Sequence, residues 1–216
     1  MSRLLTIIDG GPRKNWNTAQ LLEQVAQGAR DAGADVKYWR LYDIEFAGCY
    51  SCFACKRKDV YLDMCAAKDG LTPILEDVRD ADALVIGSPL YFGQVTGKTR
   101  MFMERALFPY LGEYAKRPSG YGKKIKTAMV YTMNAFPEEF DKMFLTPMFQ
   151  WNSIIMPMIF GGEYCDLKAT ETLQFDDYSK YQSELFDVEA RLERHKTVFP
   201  QTLREAYELG TSIVGD

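Results

Sequence analysis

The sequence predicts an α/β fold, a doubly wound parallel sheet with helices packed on both faces. Short apolar stretches that end in glycine alternate along the chain with segments whose apolar residues recur at helical spacing. This alternation is typical of parallel strands joined by right-handed helical crossovers. The uninterrupted apolar run Ala83–Ile86 indicates a strand buried on both faces, as a parallel sheet requires. Because the chain has 216 residues, 47% of them hydrophobic, we expect one domain over residues 1–216.

Local patterns predict the elements of the first half in order. The stretch RLLTIID predicts a strand at 3–9, ended by Gly-Gly-Pro, and the helical spacing of the following leucines, valine and alanines predicts a helix over 18–33. Alternation in DVKYWRL predicts a second strand at 35–41. A loop rich in cysteine and basic residues follows at 42–70, and a proline in the first turn suits a short helix at 71–81.

The second half continues the alternation. The strand at 83–86 leads into a loop, a helix follows at 96–107, and a fourth strand with its loop occupies 124–134. The connection at 135–180 is longer than a simple crossover needs, so we expect it near the active site or a dimer interface. The remaining patterns predict a helix at 138–152, a fifth strand near 170–175, and helices at 181–195 and 200–214.

Composition excludes several classes of function. A net charge of -4 and a pI near 5.2 argue against a nucleic-acid partner. No apolar run is long enough to cross a bilayer, and the N-terminal run is too short for a signal peptide, so we expect a cytoplasmic protein without a membrane partner. The single histidine, His195, is expected to face solvent near no nucleophile motif, which disfavours a hydrolase. Cys165 is expected to be a buried small residue.

Ligands of open parallel sheets bind at the carboxyl ends of the strands, so the loops there carry the functional prediction. The first, DGGPRKNWNT over 9–18, combines glycines, the side chains of Asn17 and Thr18, two basic residues and a helix N-terminus, which together suit a phosphate. It matches neither the dinucleotide fingerprint nor the Walker A loop. The alternative interpretation is an ordinary turn in which Asn17 or Thr18 only caps the helix.

The loop after the third strand, GSPLYFGQVTG, has the glycines and aromatic residues of a planar-ligand site. Its backbone can bond the polar rim of a heterocycle while aromatic rings cover the faces. The alternative is a hydrophobic dimer contact made by Leu90, Tyr91 and Phe92. The loop TMNAFP, after the fourth strand, is expected at the same edge of the sheet.

Taken together, these motifs resemble the flavodoxin-fold NAD(P)H-dependent FMN reductase-like family, near its iron–sulfur flavoprotein branch. That family has a Ser-Gly-Ser-Pro-Arg loop ending in Asn-Thr or Asn-Ser, a Ser-Pro-x-Tyr-Phe-Gly loop and a cysteine-bearing loop between them; DGGPRKNWNT, SPLYFG and CYSCFAC stand in the same order here. The resemblance covers residues 3–135 and implies a flavodoxin-like five-stranded sheet, FMN as cofactor and NAD(P)H as co-substrate.

The resemblance also implies the site residues. The first loop would bind the FMN phosphate through Gly11, Pro12, Arg13, Asn15, Asn17 and Thr18. The isoalloxazine would lie along the second loop, at Pro89, Leu90, Tyr91, Phe92 and Gly93. The third loop would close the far side with Thr132, Met133 and Asn134. Asp9 and Gly11 replace family serines, and Trp16 replaces a small residue. We expect Asp9 to anchor the loop through backbone N–H groups or to pair with Arg13 or Lys14, and Trp16 to cover the cofactor or a neighbouring subunit.

Four cysteines form a C-x2-C-x2-C-x9-C pattern at Cys49, Cys52, Cys55 and Cys65. Thiolates at this density suit a [4Fe–4S] cluster or zinc, although the last gap is longer than in the iron–sulfur branch and three closely spaced thiols crowd a tetrahedral zinc site. The alternative is a set of thiols packed beside the flavin pocket.

The function expected from these observations is an FMN-dependent NAD(P)H oxidoreductase. A nicotinamide would reduce the flavin, which would pass electrons to a quinone, another small acceptor or a protein, with no catalytic side chain required. We expect a homodimer or a dimer of dimers, and Tyr91, Phe92, Phe136 and Trp151 are candidates to line the open face of the flavin, within one chain or across the dimer. Two alternatives stay open: an FMN/[4Fe–4S] electron carrier without nicotinamide turnover, and a regulatory or structural module without cofactor.

Overall fold

Five parallel strands form the central sheet of the computed structural model, which describes residues 2–59, 63–114 and 117–215. The strands of the described residues are β1 Leu4–Asp9, β2 Asp35–Arg40, β3 Ala83–Tyr91, β4 Gln94–Val95, β5 Leu111–Tyr114, β6 Arg117–Ser119, β7 Ile125–Thr132 and β8 Gly161–Ala169. The order of the parallel strands across the sheet is β2, β1, β3, β7, β8. Two short pairings are added: β4 runs antiparallel to the end of β3, and β5 pairs with β6 in a separate ribbon. Residues 60–62 of the predicted cysteine-rich loop lie outside the described residues.

The strand order confirms the predicted flavodoxin-like fold. From β1 the chain moves outward to β2, then crosses back so that β3 pairs with the other side of β1. The five parallel strands therefore follow the 2-1-3-4-5 order, with a switch point between β1 and β3 where ligands of this fold bind.

The described residues contain six α-helices: α1 Asn17–Asp31, α2 Thr72–Asp80, α3 Gly97–Leu107, α4 Leu145–Phe160, α5 Val188–Thr197 and α6 Phe199–Ile213. Five of them cover the two faces of the sheet, whereas α5 packs against α6. Successive strand residues point to opposite faces, so Leu5 and Ile7 pack in the core under α1 and α6, while Ile8 packs in the core under α2, α3 and α4. Helices α1 and α6 can cross closely because Gly28 has no side chain. A Cβ at this position would lie 2.0 Å from the Tyr207 carbonyl oxygen. No helix in the described part of the chain has both the length and the apolar character to cross a membrane.

The predicted fifth strand near 170–175 is wrong. The strand is β8, which begins directly at the end of α4 and pairs with β7 from Ile125↔Gly161 to Thr132↔Ala169. Gly161 ends the helix in the left-handed region at φ 71°, and a Cβ at Gly162 would lie 2.2 Å from the Ile125 carbonyl. This glycine pair therefore serves the helix-to-strand junction, and residues 170–175 form no strand.

Two predicted helices are also placed wrongly. The helix predicted at 138–152 is a 3₁₀ turn at Pro137–Glu139 followed by α4, because Phe144 adopts a left-handed conformation (φ 55°) that separates them. The helix predicted at 181–195 begins later, where the Asp187 side chain accepts the Ala190 N–H at 2.9 Å and caps α5. The helix predicted at 200–214 is confirmed as α6 within one residue at each end.

Candidate active site

The loops that follow β1, β3 and β7 meet at the carboxyl edge of the sheet around a cleft of about 170 Å³. All predicted site residues line it except Asn15, Phe92 and Gly93. The lining residues are Gly11, Pro12, Arg13, Trp16, Asn17, Thr18, Pro89, Leu90, Tyr91, Thr132, Met133, Asn134, Thr172, Leu173 and Gln174. Trp16 lies at the cleft, in agreement with the expectation that it covers the cofactor, whereas no sequence signal indicated that residues 172–174 line it.

The N-terminus of α1, directly after the first loop, lies at this cleft. The helix begins at Asn17, and its N-cap residue, Trp16, makes no capping bond through its side chain. The alternative in which Asn17 or Thr18 only caps the helix is therefore wrong, and the first-turn N–H groups lack a capping side chain. Asn15 stands outside the cleft in a left-handed conformation (φ 57°), with its carbonyl accepting a bond from Gln20.

The polar side chains of this loop tie neighbouring loops together. Asn17 Nδ2 donates to the Leu173 carbonyl at 2.8 Å, and Arg13 Nη1 donates to the Gln174 carbonyl at 2.7 Å. The hydroxyls of Thr18 and Thr132 are 2.7 Å apart. Asn17 and Arg13 each keep further N–H donors that can bond an anion.

Asp9 lies beneath the first loop and is fully buried. It accepts the Gly11 N–H at 2.7 Å, which confirms the predicted anchoring, but its ion pair is with Arg40 at 2.6 Å and not with Arg13 or Lys14. The reason is strand register, since Asp9 stands opposite Arg40 in the β1–β2 pairing. Burial raises the pKa of Asp9, whereas the Gly11 N–H and Arg40 oppose that shift.

A buried cluster of three hydroxyls connects the first and second loops. Thr96 Oγ1 donates to the Gly10 carbonyl at 2.9 Å and lies 2.8 Å from Thr99 Oγ1. Ser88 Oγ accepts the Thr96 N–H at 3.0 Å. A Cβ at Gly10 would lie only 1.8 Å from Thr99 Oγ1, so this position requires glycine. The cluster fixes the two loops relative to each other.

The second loop is a tight hairpin between β3 and β4. Tyr91 pairs with Gln94, and the two residues between them, Phe92 and Gly93, both have positive φ angles of 50° and 76°. Two left-handed residues are the signature of a type I′ turn, which disfavours a bulky first residue. Phe92 is fully exposed at the tip, and Tyr91 is 47% exposed at its base.

The third loop carries a buried acceptor without a partner. Among the described residues, Asn134 Oδ1 has no hydrogen bond, while its Nδ2 donates to Gln174 Oε1 at 3.3 Å. The Asn134 carbonyl accepts a bond from Arg191 of α5 at 3.1 Å. The uncapped helix terminus suits a phosphate, and the unpartnered amide oxygen lies at the same edge of the sheet; together they fit the FMN that the sequence predicts.

The cysteine loop does not fit an iron–sulfur cluster as it is arranged here. Among the residues that the structure describes, no three His, Cys, Asp or Glu side chains are grouped so as to hold a metal ion. Cys49 and Cys52 are exposed, whereas Cys55 and Cys65 are half-buried. Burial raises the pKa of the Cys55 thiol, which favours its protonated form. Cys165, predicted to be buried, is exposed on β8.

Arg105 of α3 holds both ends of the cysteine loop. Its fully buried guanidinium donates to the carbonyls of Ala47 (3.0 Å) and Ala67 (2.9 Å) and pairs with Asp69 at 2.5 Å. The loop is therefore closed by a buried cation that sequence reasoning did not identify.

A second, larger groove of about 410 Å³ lies between α3 and α4 beside Cys49. Trp151 lines this groove, where it is 58% exposed, and it does not line the cleft at the strand ends. Phe136 also lies outside the cleft, because it packs against the Arg191 guanidinium at 4.5 Å. The prediction that both residues line the ligand cleft is not met within this chain.

Comparison with known proteins agrees with this geometry. A family model described as NADPH-dependent FMN reductase matches residues 3–139. An iron-sulfur flavoprotein of Archaeoglobus fulgidus is 37% identical over 113 residues, which cover 52% of this chain and 53% of that protein. An iron-sulfur flavoprotein of Methanocaldococcus jannaschii is 31% identical over 99 residues, which cover 46% of this chain and 49% of that protein. The chain spans about half the length of these curated relatives.

Solved structures share the fold over nearly the whole chain. An NAD(P)H:quinone oxidoreductase from Methanothermobacter marburgensis superposes with a TM-score of 0.69 at 16% identity, covering 98% of each chain. An azoreductase from Bacillus anthracis gives 0.67 at 13% identity, covering 98% of this chain and 100% of the other. The family match spans more than half of the chain and contains all three loops that meet at the cleft. The chain therefore belongs to the NADPH-dependent FMN reductase family.

Proposed function

We propose that this protein is an FMN-dependent oxidoreductase that takes reducing equivalents from NAD(P)H and passes them to a quinone, another small acceptor or a redox protein. The observation that carries the proposal is the uncapped N-terminus of α1, which opens into a cleft shared with the loops after β3 and β7. Membership in the NADPH-dependent FMN reductase family supports the same cofactor and the same class of reaction.

Each part of the cleft has a role in this proposal. The first-turn N–H groups of α1, with Gly11, Arg13 and Thr18, would hold the phosphate of FMN. The backbone that starts at Pro89 would bond the polar rim of the ring system, and the unpartnered oxygen of Asn134 would accept a bond from it once its side chain turns toward the cleft. When bound, FMN would supply the chemistry of accepting a hydride and passing on electrons. The role of these residues is to bind and orient the cofactor.

No side chain needs to act as acid or base. The single histidine lies on α5, where its ring stacks on Phe199 of α6, outside the cleft. Tyr91 lines the cleft and is nearly half exposed, so the cleft is open to solvent on that side, which suits entry of a nicotinamide and then of an acceptor. NADH and NADPH both remain candidates for the donor.

We also propose a homodimer. Helix α4 contains no Asp, Glu, Lys or Arg among its 16 residues, yet Trp151 and Ile154 on it are more than half exposed. An uncharged helix face with exposed apolar side chains, beside a groove whose lining is mainly apolar but includes Arg100 and Glu104, is typical of a subunit interface. A second copy of the chain would bury this face.

Binding measurements on a phosphate-loop variant test the function. The double change Asn17→Ala and Thr18→Val removes two side-chain donors and should weaken FMN binding about tenfold or more. Calorimetric titration of apoprotein with FMN gives the dissociation constant, and NAD(P)H oxidation with a quinone gives turnover. Thr211→Val on α6, whose hydroxyl bonds the Gly28 carbonyl, is the matched control and should change neither. Unchanged FMN affinity in the double variant would contradict the phosphate assignment.

A second candidate is an FMN/[4Fe–4S] electron carrier without nicotinamide turnover, which requires the four cysteines to move together from their arrangement in the described residues. The curated relatives are named iron-sulfur flavoproteins, and the backbone between the first three cysteines is held in left-handed conformations at Ser51 and Phe53, with φ of 57° and 55°. Anaerobic purification followed by iron and sulfide analysis tests it. Stoichiometric iron and sulfide without NAD(P)H oxidation would favour this candidate over the first.

The third candidate, a module without cofactor, rests on Asp9, Gly11 and Trp16, which depart from the family pattern. It is distinguished by thermal unfolding with and without FMN, because a ligand that binds only the folded state raises Tm. A colourless protein whose Tm does not respond to FMN would favour this candidate.

A further inference from the structure

A segment that follows β8 crosses the carboxyl edge of the sheet and is held by the first loop. The Leu173 carbonyl accepts bonds from Trp16 Nε1 at 3.2 Å and Asn17 Nδ2 at 2.8 Å. The next carbonyl, of Gln174, accepts the bond from Arg13 at 2.7 Å. Three donors of one short loop thus fix two consecutive carbonyl groups.

The same segment is fixed to the third loop on its other side. Buried Thr172 donates through its backbone N–H (3.0 Å) and its hydroxyl (3.2 Å) to the Met133 carbonyl. The Gln174 side chain accepts from Asn134 at 3.3 Å, and its backbone N–H donates to the Tyr178 hydroxyl at 2.9 Å. Residues 172–174 therefore bridge the loops after β1 and β7 across the cleft.

Trp16 completes this barrier with an aromatic ring. The Arg13 guanidinium lies 4.2 Å from the centre of the Trp16 ring, within the range of a cation–π contact. Because Trp16 is also the N-cap residue of α1, the stacked pair stands at the helix terminus that suits a phosphate. We call Arg13, Trp16, Leu173 and Gln174 the Trp16 wall.

We propose that the Trp16 wall selects a mononucleotide flavin over a dinucleotide flavin. In FAD a second phosphate and an adenosine continue from the phosphate that ends FMN. At this position the Trp16 ring, held by its bond to the Leu173 carbonyl and by the Arg13 guanidinium stacked on it, stands in the way of a second phosphate and an adenosine. The inference rests on the proposed FMN site and adds to it the residues that exclude the larger ligand.

Calorimetric titration of apoprotein with FMN, FAD and riboflavin tests the proposal. The wild type should bind FMN at least about 100-fold more tightly than FAD, and Trp16→Ala should reduce this ratio about tenfold or more by opening the wall. Trp16→Phe keeps a ring at the position and should keep most of the ratio. Trp39→Phe, which removes a tryptophan from β2 and its bond to Asp77, is the matched control and should leave the ratio unchanged.

The outcomes separate this inference from the proposed function. A Trp16→Ala protein that stays folded by circular dichroism and keeps the wild-type ratio would overturn the wall, as would a wild type that binds FAD as tightly as FMN. Riboflavin binding as tight as FMN binding, or no flavin binding at all, would overturn the phosphate site and the wall with it.

Discussion

At the scale of single residues, Asp9 changes what the first loop can bind. Its carboxylate replaces a neutral hydroxyl of the family pattern, but Arg40, Tyr38 and the Gly11 N–H surround it. The ion pair compensates much of the buried charge, so Asp9 supports the loop geometry. The remaining negative charge lies next to the proposed phosphate position and opposes binding there.

Two substitutions at Asp9 separate support from repulsion. Asp9→Asn keeps an oxygen that can accept the Gly11 N–H while removing the charge, so FMN affinity should rise about fivefold. Asp9→Ala removes the acceptor as well and leaves Arg40 without its closest partner, which should lower the free energy of unfolding by about 2 kcal/mol. Calorimetric titration and urea unfolding measure the two effects. Weaker FMN binding by Asp9→Asn would show that the charge does not repel the phosphate.

Phe92 is a bulky residue held in a left-handed conformation at the tip of the hairpin. Glycine adopts this conformation without the clash of a Cβ, so Phe92→Gly should be more stable to urea than Phe92→Ala by about 1 kcal/mol. Both variants lose the exposed ring, which lies outside the cleft, so we expect equal NAD(P)H turnover in the two variants. Greater stability of the alanine variant would contradict the strain assigned to this position.

At the scale of elements, the junction between α5 and α6 contains the only histidine of the chain. The His195 ring stacks on Phe199 with centroids 4.9 Å apart, and its Nδ1 is buried without a hydrogen-bond partner in the described residues. His195 is therefore partly buried, which corrects the prediction that it faces solvent. Burial lowers its pKa below that of an ordinary histidine, because the charged form is disfavoured.

This shift gives the junction a pH dependence of known sign. The folded state binds a proton less readily than the unfolded state, so stability is retained above the ordinary histidine pKa of about 6.5 and lost as the pH falls through it. His195→Phe keeps the ring contact and removes the titration, so the variant should lose less stability on acidification than the wild type. Urea unfolding across this pH range measures the difference, and parallel pH profiles would contradict the assignment.

Sequence patterns predicted those elements whose signals are local. The carboxyl-end loops were found because strand ends in a parallel sheet share one edge, and Gly-Pro and Asn-Thr pairs mark them. β8 was missed because Gly161 and Gly162 resemble a loop, although tertiary contact with β7 requires them. Residues 172–174 could not be predicted as a wall, since their backbone carbonyls make the contacts and carry no side-chain signal.

At the scale of the whole molecule, the two faces of the sheet are covered unequally. Helices α1 and α6 cross closely on one face through Gly28 and Gly210. On the other face, α4 packs one side against the core and leaves Trp151 and Ile154 exposed beside the 410 Å³ groove. Because burying this apolar surface in a second copy is favourable, the dimer is expected to form through α4.

A charge placed on this helix tests the dimer. The wild type should elute with twice the 24.7 kDa chain mass in size-exclusion chromatography with light scattering, and Trp151→Glu should shift it toward the monomer, because an unpaired carboxylate in an apolar interface is costly. Leu192→Glu, at a position 40% exposed on α5, is the matched control and should remain dimeric. A wild type that stays monomeric at high concentration would contradict the proposed interface. Flavin affinity measured on the same samples would then show whether the cleft of one chain is sufficient for binding.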